Sequence, residues 1–229
     1  MEENLLLKVQ DLTVELDHES IIKDLSFRLK KGDVVSVVGP NGAGKTVLLK
    51  CLLDLLPYQG KITWKKDIKI GYVPQRLPFI KDIPLSVSDF FALKHVNHQD
   101  MQNIMRAVGF NEDISLRKIG DLSSGQFQRI LIAWSLVSKP QVLLFDEPTT
   151  GVDIGGEETI YELLTNLKEQ WYDSMVLVSH DLNVVYEFST HVICLSKKTI
   201  CSGTPQEVLT PESLRKLYGS EIKFYQHQK

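Results

Sequence analysis

The 229-residue chain has no long apolar run. Its most hydrophobic stretches, Val34–Val38, Ile130–Val137 and Val142–Phe145, fall well short of the roughly 18 residues a membrane-spanning helix requires. No transmembrane helix is therefore expected. Positive charge is not in surplus either: 26 Lys and Arg stand against 29 Asp and Glu, a formal net charge of −3. That balance argues against a protein that wraps nucleic acid. Cysteine is scarce. Cys51, Cys194 and Cys201 are odd in number and form no close pair in sequence, which predicts reduced thiols in a cytosolic protein. The spacing of Cys194 and Cys201, with no histidine pair nearby, does not suit a metal site, and the six histidines are scattered. The opening Met1-Glu2-Glu3-Asn4 lacks a basic stretch leading into an apolar core, so no secretory signal is expected. Repeats and low-complexity tracts are missing, which excludes solenoids and arrays. What remains is ordinary globular composition, 43 % hydrophobic and 24 % charged. The length suits one compact domain with an appended lobe, large enough to stand without disulfides or a structural metal.

Period-two patterning dominates the first thirty residues. Leu5, Leu7 and Val9, then Leu12, Val14 and Leu16, then Ile22, Leu25, Phe27 and Leu29 read as antiparallel strands with one buried face. Lys30–Asp33 is a turn, and the almost wholly apolar Val34–Val38 suits a strand covered on both faces. A helical pattern follows Gly44 and runs from Val47 to Leu56, where Pro57 stops it. Short strands are expected at Lys61–Trp64 and Lys69–Val73, and helical spacing without strand signals between Ser86 and Lys118 marks a helical lobe. Helices near Gly125–Ser138 and Gly156–Glu169 alternate with buried strands at Val142–Phe145 and Met175–Ser179, which implies a parallel sheet flanked by helices. From Thr204 onward the chain is polar and mostly helical.

Two stretches carry phosphate chemistry. Gly39-Pro40-Asn41-Gly42-Ala43-Gly44-Lys45-Thr46 fits the pattern G-x-x-x-x-G-K-[ST] between a strand and a helix. Such glycines let successive backbone amides turn inward around phosphate oxygens, the lysine reaches the outer phosphates, and the threonine hydroxyl faces Mg²⁺. The helix that starts there aims its positive end at the same anion. Val142-Leu143-Leu144-Phe145-Asp146-Glu147 is a buried strand ending in two carboxylates, and ligands of open α/β sheets sit beyond such strand ends. Asp146 is expected to hold Mg²⁺ through water, and Glu147 to orient or deprotonate an attacking water.

Leu122-Ser123-Ser124-Gly125-Gln126 lies shortly before that strand. Together with Gly39–Thr46 it resembles the ATP-binding cassette of ABC transporters, whose signature is L-S-G-G-Q. Tyr72-Val73-Pro74-Gln75 resembles the family's Q-loop, Thr150-Gly151-Val152-Asp153 its D-loop and Ser179-His180-Asp181 its H-switch, all in the family's order. The resemblance covers essentially the whole chain. It implies an α/β fold: a P-loop NTPase core with a mostly parallel sheet, an N-terminal antiparallel β-subdomain and an inserted helical subdomain. The core with its β-subdomain is expected over 1–85 and 139–203, the helical subdomain over 86–138 and a helical tail over 204–229.

The resemblance also implies that two copies pair head to tail around two Mg-ATP. Ser123, Gly125 and Gln126 then approach the γ-phosphate held by the partner's phosphate loop. Gln75 senses Mg²⁺ and the attacking water and relays closure to a membrane permease, His180 contacts the γ-phosphate, and Asp153 orders the dimer seam.

Two departures from the family pattern matter. Ser124 stands where the signature has its first glycine, and its β-carbon alters the backbone approach slightly. Leu16 stands where many cassettes carry an aromatic that stacks on adenine. An aromatic stack contributes about 1–3 kcal/mol, so the leucine predicts weak purine selectivity. The short interval between Lys45 and Gln75, with Ile83–Val87 and Cys201-Ser202-Gly203-Thr204-Pro205, looks like the ATPase subunit of bacterial zinc and manganese uptake systems. The histidine-rich tail of some such subunits is missing; only His227 remains.

This resemblance implies ATP and Mg²⁺ as cofactors, permease subunits and a solute-binding protein as partners, no nucleic acid, and a peripheral place on the cytoplasmic face of the membrane. Arg76–Ile80 and the helical lobe are the expected permease-binding groove. Two competing classes are a soluble cassette acting on nucleic acid or ribosomes and a nucleotide-gated module without turnover. The single cassette, the absence of a heptad run and the acidic balance oppose the first; Glu147 and His180 oppose the second.

Overall fold

The computed structural model describes residues 4–75, 84–147, 154–168 and 170–219; the side chains of 154–159 and 198–200 are not described. Arg76–Ile80, Thr150–Asp153 and His227 therefore lie outside the described residues. In chain order the elements are β1 (Leu5–Leu16), β2 (Glu19–Lys30), β3 (Val34–Val38), α1 (Lys45–Leu52), β4 (Gln59–Trp64), β5 (Ile70–Val73), α2 (Val87–Ala92), α3 (His98–Ala107), α4 (Ser124–Leu136), β6 (Val142–Asp146), α5 (Ile154–Leu167), β7 (Ser174–Val178), α6 (Leu182–Phe188), β8 (His191–Ser196), β9 (Lys198–Gly203), α7 (Pro205–Val208) and α8 (Pro211–Tyr218). They group into two compact units, 1–67 with 175–229, and 68–174.

The first unit is built on a sheet in the order β4-β1-β2-β9-β8-β3-β7. Antiparallel pairing joins β4, β1 and β2, whereas β3 runs parallel to both β7 and β8. Alternation in β1 survives a slip of register between Val9 and Leu12 because Asp11 adopts a left-handed conformation (φ 49°). Its amide and carboxylate both bond the Ser26 hydroxyl, at 2.8 and 3.1 Å. The bulge absorbs one residue, so Val9, Leu12 and Val14 all reach the buried face. Every residue of β3 and β7 is buried, including Ser36 and Ser174, as their almost wholly apolar sequences predict.

Two sequence expectations need correction. The helix after the phosphate loop ends at Leu52, not Leu56: Asp54 turns left-handed (φ 58°) and the Leu55 amide bonds back to the Lys50 carbonyl at 2.9 Å, leaving Leu55 64 % exposed. Apolar Leu55 and Leu56 extend the helical pattern past the point where the backbone has already capped itself. The cysteines are the second correction. The β8–β9 hairpin, not anticipated from the sequence, sets Cys194 opposite Cys201 with Cα atoms 4.9 Å apart and the two sulfurs bonded. Cys51 is the free, buried thiol.

The second unit carries the parallel pair β5–β6 and the helical lobe. Ser86 and Asn97 cap α2 and α3 by accepting bonds from the amides of Asp89 and Asp100. The Arg129 guanidinium of α4 donates to the Val108 carbonyl at 3.2 Å and lies where a side chain on Gly109 would stand, which ties α4 to the end of α3. Phe90 stacks on Trp134 at 5.3 Å, and the Lys94 ammonium sits 3.6 Å above the same indole while donating to the Trp134 carbonyl at 3.0 Å. No helix among the described residues is long and apolar enough to cross a membrane.

Candidate nucleotide-binding residues

Gly39–Thr46 joins the buried end of β3 to α1. A β-carbon on Gly39 would overlap the Leu195 carbonyl oxygen of β8, so only glycine lets the loop leave the sheet at this point. Gly42 (φ 77°) and Gly44 (φ 97°) are both left-handed, and Gly44 is also the N-cap residue of α1. Glycine offers no side-chain oxygen to the first helical amides, and no acidic residue stands in the first turn. The positive end of α1 therefore carries no neutralising side chain of its own first turn. Lys45 is 6 % exposed, with Nζ donating to Gly39 O at 2.9 Å and Pro40 O at 3.1 Å. A cation is thereby held inside the loop, while Asn41 and Gly42 stay exposed at its rim. Leu16, at the end of β1, is half-exposed. Ser179 is buried and its hydroxyl accepts from the Asp181 amide at 3.1 Å, Asp181 caps α6, and His180 between them is exposed.

In the second unit Asp146 closes β6 at 1 % exposure. Glu147, the next residue, adopts a left-handed backbone (φ 43°). Among the described residues, the other non-glycine residues with positive φ are Asp, His or Lys. A glutamate in that conformation costs about 1–3 kcal/mol and persists where its surroundings hold it. Here the Gln75 amide donates to Glu147 Oε2 at 2.6 Å, which brings two sequence-predicted site residues together. Sequence reasoning missed a third member of this group. Tyr72, register-paired with Leu144 on β6, donates its hydroxyl to the Asp146 carboxylate. Burial, then the charge of Asp146 and that hydrogen bond, push the phenol up to about 12. Tyr72 thus stays protonated and anchors the carboxylate. Its only sequence signal was a tyrosine placed two residues from a proline in the Q-loop stretch.

Ser123 and Gln126 form a reciprocal capping box at the start of α4: the Ser123 hydroxyl accepts from the Gln126 amide at 3.2 Å, and the Ser123 amide donates to Gln126 Oε1 at 3.1 Å. Ser123 and Ser124 are exposed, and Gly125 and Gln126 are half-exposed. A β-carbon on Gly125 would meet nothing within 4 Å, and its φ is not left-handed. Nothing inside the chain requires glycine there. Among the described residues no cluster of three metal-ligating side chains of the His, Cys, Asp or Glu type occurs. A cleft of about 320 Å³ in the second unit is lined by Lys94, Asn97, Asp100, Lys139 and Trp171, none of which belongs to the motif set.

Comparison with known proteins agrees with these features. Residues 22–150 match the ABC transporter family model. The zinc import ATP-binding protein ZnuC of Buchnera aphidicola subsp. Schizaphis graminum is 36 % identical over 228 residues, covering 97 % of this chain and 95 % of that protein. ZnuC 1 of Hahella chejuensis is 35 % identical over 217 residues, covering 94 % and 84 %. Among solved structures, a chain of an ABC transporter in an inward-facing conformation superposes with a TM-score of 0.83 at 30 % identity, over 94 % of this chain and 89 % of that one. The cbiO1 protein of Clostridium perfringens, part of the cbiONQ complex, gives 0.79 at 26 % identity, over 93 % and 94 %. With its cradle, its acid-ending strand and its capped signature helix, the chain belongs to the ABC transporter family, as an ATP-hydrolysing cassette.

Proposed function

We propose that the chain is the ATPase subunit of an importer that takes up zinc through a separate membrane permease. Support for the cargo comes from its full-length similarity to zinc import ATP-binding proteins. The observation that carries the catalytic reading is the Gln75–Glu147 hydrogen bond, with Glu147 held in a strained backbone at the end of a buried strand. A carboxylate fixed in this way is suited to orient a water and take its proton.

The other roles follow residue by residue from the family pattern. The loop Gly39, Pro40, Asn41, Gly42, Ala43 and Gly44 wraps phosphate oxygens with its backbone N–H groups, to which Pro40 contributes none, and Lys45 neutralises the outer phosphates. His180 contacts the γ-phosphate. Leu16 lies against the base. Thr46, Gln75 and Asp146 offer a hydroxyl, an amide oxygen and a carboxylate, an all-oxygen donor set that suits Mg²⁺; when bound, the ion offsets phosphate charge. Tyr72 holds the Asp146 carboxylate in place. Ser123, Gly125 and Gln126 present the positive end of α4 to the nucleotide of a second copy, and Asp153 lies at the seam between the copies. Permease subunits and a solute-binding protein complete the system, with the ATPase on the cytoplasmic face of the membrane.

Glu147→Gln keeps the shape of the side chain and removes the base. Hydrolysis is expected to fall about a hundredfold or more, and an ATP-bound dimer to accumulate on size-exclusion chromatography. Wild-type turnover in that variant refutes the assignment. The cargo is tested by growth of a deletion strain on limiting metals. Zinc should restore growth at the lowest concentration, and rescue by manganese alone overturns the zinc reading.

A further inference from the structure

The β8–β9 hairpin carries chemistry that nucleotide hydrolysis does not use. Cys194 and Cys201 are register partners with Cα atoms 4.9 Å apart. That separation lies within the usual range of about 4.4–6.8 Å for disulfides, so one backbone can carry either two thiols or a disulfide. Cys194 is fully buried, whereas Cys201 is half-buried at the edge of the same apolar cluster, the less enclosed sulfur of the two. Cys201 Sγ also lies 3.9 Å from the Val208 carbonyl, an acceptor for it in the thiol form. The third cysteine does not compete: Cys51 is buried in α1, and desolvation pushes its thiol up to about 11, leaving little reactive thiolate.

The location gives the pair its meaning. Cys194 registers with Val38, the last residue of β3. The next residue on each strand, Gly39 and Leu195, brings the phosphate loop into backbone contact with β8. Gly39 O in turn accepts from Lys45 Nζ. The register of the hairpin shifts between Cys194 and Leu195, where β9 carries one extra residue beside the strand that meets the loop.

We propose that Cys194 and Cys201 are a reversible redox modification site that fixes the strand beneath the phosphate loop and so strengthens ATP binding in the disulfide form. The oxidant is a low-molecular-weight disulfide, RSSR. The Cys201 thiolate attacks one sulfur, forming a mixed disulfide and releasing RS⁻. The Cys194 thiolate then attacks the Cys201 sulfur and displaces the second RS⁻. Two electrons pass from the cysteines to RSSR, and the two cysteine protons end on two RSH; excess RSH reverses the exchange. The coupling rests on the reading of Gly39–Thr46 as the phosphate cradle, whereas the disulfide itself does not.

The test uses the full chain equilibrated in reduced or oxidised glutathione, with thiols counted by mass after alkylation in denaturant. Three alkylated cysteines are expected in the reduced buffer and one in the oxidised buffer. ATP should bind the oxidised form about threefold or more tightly, the gain expected from preorganising a loop. Cys201→Ser should show two alkylated cysteines and one ATP affinity in both buffers. Three free thiols in the oxidised buffer, a stable glutathione adduct without closure, or a redox response surviving in Cys201→Ser each overturns the proposal. Equal ATP affinity in the two forms refutes the coupling alone, and failure to bind ATP in either form refutes the cradle reading with it.

Discussion

The phosphate loop and the signature turn both place glycine beside a helix N-terminus, yet they are built in opposite ways. In the phosphate loop the chain itself demands glycine: Gly39 lies where a side chain would overlap the Leu195 carbonyl, and Gly42 and Gly44 are left-handed. Its helix has no side-chain cap at Gly44 and no acidic residue in its first turn. The signature turn caps itself through Ser123 and Gln126, and Gly125 faces open space. One glycine set answers to contacts within the chain, and Gly125 has no such contact among the described residues. The lesson is that the same residue type beside a helix start is explained by backbone geometry in one place, and in the other the reading of a partner-facing turn has to be tested.

The comparison can be broken most easily at Gly39. Gly39→Ala forces the loop off β8 and is expected to cost about 3 kcal/mol, with ATP binding lost; denaturant unfolding and nucleotide titration measure both. Unchanged stability would mean that the Leu195 contact gives way freely. Gly125→Ala should do the reverse. Unfolding should shift by no more than about 1 kcal/mol, and toward greater stability, since alanine is the better helix former. On the proposed pairing of two copies, ATP hydrolysis at saturating nucleotide should fall about tenfold, because the added carbon would stand between the helix start and the phosphate of the second copy. A destabilised protein with intact hydrolysis would invert the contrast. The smallest effect belongs to Leu16, which offers a base only apolar contact. GTP should compete within about tenfold of ATP in the wild type, and Leu16→Tyr should widen the gap by restoring a stack of about 1–3 kcal/mol. Competition assays with the two nucleotides decide it, and an unchanged ratio would remove Leu16 from the base site.

Much of the site was legible because each motif is contiguous. Gly39–Thr46, Asp146-Glu147 and Ser123–Gln126 each sit on a single strand end or helix start, where local backbone rules dictate the residue types. The alternation of β1 and β2 and the solid apolar strands β3, β6 and β7 were equally plain, since burial on one face or two leaves a direct mark on the sequence. The end of α1 was misjudged because Leu55 and Leu56 carry on the apolar spacing while Asp54 has already reversed the backbone. Propensity alone does not reveal which residue turns left-handed.

Composition, periodicity and short motifs determined the α/β class and located the glycine-rich loop and the acid-ending strand, because each depends on neighbours a few residues apart. Only the tertiary structure decided that Tyr72 holds Asp146, that Gln75 reaches Glu147, that Leu195 lies under Gly39 and that Cys194 meets Cys201. Those contacts depend on strand register and loop placement, which are settled when buried faces pair across the sheet and leave no trace in the spacing of residues along the chain.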